Sequence, residues 1–374
     1  MGIIVKQAFT REQDEQRAVA EIAEGIAQPN ARLGVFFCSS RFDTDRLSAA
    51  LRSIDLPLIG CTTAGELSSM AGFSEGSIVA ASLASTELSA QVRMIPRLDA
   101  LDAARAEELN RELAAARRLP GAPAFGLVLI DGLSMMEERT MATLHAHLGG
   151  IPLIGGSAGD DLRFAQTQVF AEGRFATGAA AFCQIETTLP FRTFKWQHFR
   201  PTKIKMVITE AEPARRRVME IDGEPAADAY AAALGLARAE LSPAVFSKHP
   251  LILAIGDDCY VRALQRVEPD GTLVFYCAID NGLVLTVAEG VGLVENLDLH
   301  LTELKAELGD LQLVIGCDCI LRRLEVQQKG LVADVSRLLA RQPFLGFSTY
   351  GEQYNGIHVN QTLTGVAIGA TRSG

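Results

Sequence analysis

Short, uninterrupted apolar runs recur along the chain at Leu33–Cys38, Phe125–Ile130 and Leu311–Gly316. Hydrophobicity that is continuous rather than alternating predicts strands buried on both faces. Each run is followed by a helix-period stretch, at Thr44–Ser53, Met135–Leu148 and Ile320–Arg341. Each helix leads into one repeated passage. Pro57-Leu58-Ile59-Gly60-Cys61-Thr62-Thr63-Ala64-Gly65-Glu66 returns as Pro152-Leu153-Ile154-Gly155-Gly156-Ser157-Ala158-Gly159-Asp160-Asp161. It returns again as Pro343-Phe344-Leu345-Gly346-Phe347-Ser348-Thr349-Tyr350-Gly351-Glu352. A carboxylate stands six residues after the first glycine each time: Glu66, Asp161 and Glu352. A further apolar strand follows at Ser77–Leu83, Gly178–Ile185 and Thr362–Ile368. The pattern predicts an α/β protein built from internally repeated β-α-β-β units, forming mixed sheets with flanking helices. It leaves open whether the copies join one sheet or several.

Between the copies the periodicity changes. Thr10-Arg11-Glu12-Gln13 reads as a capping box opening a helix to Ile26, and Leu101–Arg118 as an amphipathic helix stopped by Pro120-Gly121. Phe191–Glu210 reads as strands. Ala226–Leu234 reads as a helix, and Pro250–Ile255, Tyr260–Val267, Thr272–Ala278 and Gly282–Ala288 as a meander. The expected division is an N-terminal strand and helix over 1–30, a domain over 31–215 and a second over 216–374.

Composition adds limits. The chain has 374 residues and a net charge of −10, with no basic cluster, which argues against nucleic acid as a partner. No apolar run approaches a membrane span, and Met1–Lys6 is too short for a signal h-region. The seven cysteines have no zinc spacing, and free cysteines point to the cytoplasm.

Five short passages together resemble the FIST family of sensory input proteins. In the N-terminal half they are Ile59–Glu66 and Gly76-Ser77-Ile78-Val79-Ala80. In the C-terminal half they are Val218–Ala226 with Asp222-Gly223-Glu224-Pro225, the start at His249-Pro250-Leu251, and the tail Gly346–Glu352. The resemblance covers roughly 30–370, so the halves are FIST_N-like and FIST_C-like. It implies a small-ligand sensor in bacterial signalling, not an enzyme. Output would pass to another polypeptide, such as a histidine kinase, and a homo-oligomer is compatible. Stand-alone NosP-type members bind haem and sense nitric oxide. Other members imply haem-free sensing of small molecules such as amino acids.

A non-covalent haem b would need an axial ligand, and CxxCH is absent. Among six histidines, His249 is the first choice, because Pro250 keeps its backbone out of the helical region. His358 and Tyr350 near the third turn are further cofactor candidates. Cys317 and Cys319 are alternatives placed where small fillers are expected. His145, His147, His198 and His300 read as core or surface. The turns suggest a second kind of site, with Thr62, Ser157 and Ser348 offering hydroxyls and Glu66, Asp161 and Glu352 a charge, at strand ends where α/β sheets bind ligands. The same residues also read as turn caps copied with the scaffold. No GxSxG, HExxH, P-loop or GxGxxG motif is present. Asp257-Asp258-Cys259 and Asp280-Asn281-Gly282 read as hairpin turns, and Asp318 as a helix N-cap.

Overall fold

The computed structural model describes residues 2–256 and 258–370; Met1, Asp257 and 371–374 lie outside them. The first copy runs β1 (Ile4–Thr10), α1 (Glu15–Ile26), β2 (Ala31–Ser39), α2 (Thr44–Leu51), β3 (Leu58–Thr63), β4 (Glu66–Ser68), β5 (Gly72–Ser74) and β6 (Ile78–Ala84). The second repeats it: β7 (Leu88–Ile95), α3 (Ala103–Ala115), β8 (Ala124–Ile130), α4 (Glu137–His147), β9 (Leu153–Ser157), β10 (Val169–Ala171), β11 (Arg174–Ala176) and β12 (Ala180–Thr187). The third opens with β13 (Phe191–Trp196) and is then interrupted.

The interruption holds β14 (Phe199–Glu212), β15 (Arg217–Ile221), β16 (Glu224–Pro225), α5 (Ala226–Ala233), α6 (Pro243–Lys248), β17 (Leu251–Ile255), β18 (Asp258–Arg262), β19 (Leu264–Val267), β20 (Leu273–Phe275) and β21 (Val284–Gly290). The third copy resumes with α7 (Leu293–Leu308), β22 (Leu311–Cys319), α8 (Ile320–Gln328), α9 (Val332–Leu339), β23 (Phe344–Thr349), β24 (Glu352–Tyr354), β25 (Ile357–Val359) and β26 (Leu363–Gly369). The copied unit is therefore longer than β-α-β-β. It gains a leading strand and helix, and a short hairpin before its last strand.

Compactness divides the described residues into one unit spanning 2–196, 298–358 and 363–370, and another within 197–297 together with 359–362. This division differs from a linear one at 215/216, because most of the second unit is spliced in after the first strand of the third copy and ends within α7.

In the first unit the copies form three sheets and exchange their hairpins in a cycle. The sheet orders are β1-β6-β2-β3-β10-β11, β7-β12-β8-β9-β24-β25 and β13-β26-β22-β23-β4-β5. The first copy's hairpin completes the third sheet, the second's the first, and the third's the second.

The repeated passage is explained at this level. Gly60, Gly155 and Gly346 face the neighbouring parallel strand. A Cβ there would lie 2.5 Å from Phe36 O, 1.7 Å from Val128 O and 2.2 Å from Gly316 O respectively. Only glycine permits that approach. The prolines start the ladder: Pro57 and Pro152 each accept an N–H at 2.8 Å, from Gly34 and Gly126, and Pro343 accepts from Val314 at 2.9 Å.

The inner sheet faces share one core. Val35, Phe37, Ile59, Leu127, Ile154, Ile315 and Phe347 belong to it, and Phe37 stacks on Phe347 with centroids 4.4 Å apart. The outer face of the first sheet is covered by α1 and α2 through Val19, Ile22, Leu47 and Leu51. The second is covered by α3 and α4 through Leu113, Met141 and Leu144. Both faces are thus buried, which is why the strands read as continuous apolar runs.

Local signals are corrected in three places. Thr10 ends β1, and Asp14 caps α1 by accepting Arg17 N–H at 3.0 Å. The helix expected over 320–341 breaks into α8 and α9 around Gly330, which has φ +68°. Asp318 lies in β22 and pairs with Arg322 Nε at 2.7 Å rather than capping a helix.

The second unit is one sheet, β18-β17-β21-β14-β15-β20-β19, with β16 beside β15. Tyr230 of α5 and Phe246 of α6 pack on it with Val218, Leu251 and Leu285.

Candidate functional site

The three copied turns interlock through their backbones. Thr62 N–H donates to Gln168 O at 2.9 Å and Thr62 O accepts from Gly159 at 3.0 Å. Ser157 does the same with Gly351 O at 2.8 Å and Tyr350 N–H at 3.3 Å. Ser348 does so with Gly65 O at 2.7 Å and Ala64 N–H at 3.0 Å. Thr62, Ser157 and Ser348 are all buried. They stand where each copy grips the next, so the hydroxyl-bearing position of the motif closes the cycle.

These bonds also fix which residues are equivalent. Ala64, Gly159 and Tyr350 correspond, and so do Gly65, Gln168 and Gly351. Glu66 lies opposite Phe347, Glu352 opposite Gly156 and Val169 opposite Cys61. Val169, not Asp161, is therefore the counterpart of Glu66 and Glu352. Spacing alone misassigns Asp161, because residues 160–167 are inserted in the second turn.

That insertion breaks the symmetry of the copies. Asp161, Leu162 and Phe164 have φ of 56°, 61° and 50°, a left-handed conformation costly for such residues. Asp160 holds the loop. Its carboxylate accepts N–H bonds from Phe164 at 2.9 Å, Ala165 at 2.7 Å and Gln166 at 3.0 Å, and a short bond from the Tyr350 hydroxyl. Burial alone would raise the Asp160 pKa; these four donors outweigh it and hold it below 3.8. Burial and the Asp160 bond push the Tyr350 hydroxyl pKa up. The Phe164 ring stacks on Tyr350 with centroids 4.9 Å apart and stays 48% exposed.

A charged cluster adjoins. Asp161 pairs with Arg41 Nε at 3.4 Å, Arg41 reaches Glu75 at 3.8 Å, and Arg323 binds Glu75 at 2.6 Å. Glu66 is fully buried. Thr63 and Ser77 hydroxyls donate to it, each at 2.5 Å. Burial raises its pKa from 4.5 to about 7 against those bonds, with the Asp161 charge adding to the rise. Glu352 is likewise buried, and its charge helps burial raise the Cys317 thiol pKa far above 9.0.

His249 ends α6 with φ −128° and ψ 56°, outside the helical region as Pro250 requires. It is half-buried, and its carbonyl accepts the Tyr230 hydroxyl at 2.6 Å. Its neighbours Tyr230, Phe246 and Leu251 are packed together as core. His358 is 1% exposed, with Nδ1 3.1 Å from Gln353 Nε2. Three clefts of about 500, 380 and 290 Å³ are lined by none of His249, His358 and Tyr350. Burial raises the pKa of the Cys38 and Cys61 thiols, as it does that of Cys317. Among the described residues no group of three His, Cys, Asp or Glu side chains is arranged to hold a metal ion. No helix among them is long and apolar enough to cross a membrane.

Sequence reasoning named Tyr350 only as a cofactor candidate and did not single out Asp160, Phe164 or Arg323. The available signal was spacing: the strand after the second turn starts later than its counterparts.

The family model described as the FIST N domain matches residues 32–224, and the FIST C domain model matches 226–355. No curated protein matches the chain. With both models matched in order over most of its length, the chain belongs to the FIST family, whose domains are small-ligand sensors in signal transduction.

Proposed function

We propose that this chain binds a small molecule without transforming it and reports the binding to another protein through the loop 160–167. One observation carries the reading: of three copied turns only the second is expanded, and its strained loop is clamped to the third copy by the Asp160–Tyr350 bond. A scaffold feature is copied with the scaffold, so specialised work falls where one copy departs from the others. Phe164 and Leu162, 48% and 39% exposed, give the loop an apolar outer surface for a signalling partner such as a histidine kinase.

The test is a thermal-shift screen of the full chain against small carboxylates, amines and neutral solutes. At least one compound is expected to raise Tm, and chromatography is expected to recover it unchanged. A compound consumed with turnover overturns the non-catalytic reading, and a panel without any shift overturns ligand sensing. The haem version, a nitric-oxide sensor with His249 on iron, is separated by an absorption spectrum of protein given haemin. A Soret band that shifts with nitric oxide and changes in His249→Ala would replace the haem-free reading.

A further inference from the structure

The 500 Å³ cleft lies against the free edge of β7, the terminal strand of its sheet. Its walls come from three sources. Leu51, Ile54 and Leu58 belong to the first copy and Val92 to the second, while Phe170 belongs to the exchanged hairpin. Its charge is opposite to that of the chain, which is −10 overall. Arg52, Arg93 and Arg118 line it against one carboxylate, Glu172. Glu112 lies 3.8 Å from Arg93. Among the described residues no carboxylate pairs with the guanidinium of Arg52 or Arg118.

Gln91 supplies an independent observation. It lines the cleft, is 8% exposed, and donates Nε2–H to Leu113 O at 3.1 Å, which fixes its amide orientation. Its buried Oε1 has no partner. An unmet buried acceptor is costly, and a donor on a bound molecule removes the cost.

We infer that this cleft is the sensor's ligand site and takes a small amphipathic hydroxycarboxylate. Arg52 and Arg118 bind the carboxylate, the apolar walls cover the hydrocarbon, and Gln91 Oε1 accepts from the hydroxyl. The inference rests on the proposed sensing function and adds its site and ligand class. Because the walls span two copies and an exchanged hairpin, an occupant favours one packing of the copies, which is what a population shift requires.

The experiment is calorimetric titration of the full chain with 3-hydroxyoctanoate, octanoate and octane-1,3-diol. The hydroxy acid binds tightest. The exposed double replacement Arg52→Gln and Arg118→Gln weakens it by about tenfold or more, the scale of a lost charge-assisted bond, and leaves the diol unchanged. Glu172→Gln tightens it. Equal binding of diol and hydroxy acid, no heat at millimolar hydroxy acid, or a double variant that binds unchanged overturns the assignment. If the last occurs while a screened compound still raises Tm, ligand sensing stands and only this site falls.

Discussion

The guanidinium of Arg323, on α8 of the third copy, fills the space where a side chain at Gly65 of the first copy would stand. A Cβ on Gly65 would lie 1.4 Å from Arg323 Nη1. That nitrogen donates to Ala64 O at 2.7 Å, and the Arg323 guanidinium lies 5.7 Å from the Phe73 ring centroid. Gly65 is also held at φ +124°. Gly65→Ala is expected to cost about 3 kcal/mol, from backbone strain together with displacement of a buried cation. Urea unfolding measures it; a loss near zero would show that Arg323 moves freely.

The repeated glycines predict a graded series. At Gly155 the clash is with backbone, 1.7 Å from Val128 O, and no side chain can yield. Gly155→Ala is expected to lose about 3 kcal/mol or more, and Gly60→Ala, whose nearest contact is 2.5 Å, less. Equal losses in chemical denaturation would contradict the strand register.

Glu66 makes a pH prediction. Its folded pKa, about 7, lies above the ordinary 4.5, so the folded chain holds this proton more tightly than the unfolded one. Its contribution is fully present below 4.5, declines as pH rises to about 7, and is flat beyond. The decline is on the order of 3 kcal/mol. In Glu66→Gln this part of the stability profile should vanish. Parallel profiles for the two proteins across that window would refute it.

Tyr350→Phe removes one bond to a buried carboxylate and unfastens the inserted loop. A loss of about 2 kcal/mol is expected. Faster amide exchange confined to 160–167 should accompany it, with other turns unaffected. Exchange that rises equally at 64–66 would show that the bond holds the whole ring of turns.

The scaffold was legible in the sequence because buried strands and glycine-dependent approaches leave local marks. The runs at Leu33, Phe125 and Leu311, and the triplet Gly60, Gly155 and Gly346, each report a contact with an adjacent strand. Hairpin exchange was not legible, since Glu66–Ser68 carries no sign of which sheet it completes. The equivalence of Asp161 to Glu66 failed because a count of residues cannot register an insertion. Arg323 and Ala64 are far apart in sequence, as are Arg52, Arg93 and Arg118, so neither the cation beside Gly65 nor the arginine-lined cleft had a local pattern.

The most direct measurement is emission from Phe164→Trp, read by difference against Trp196, the single native tryptophan. Titration with a compound that raises Tm should shift that emission saturably, at the same midpoint as binding, with the compound recovered intact. Binding that leaves the loop's emission unmoved would contradict the account.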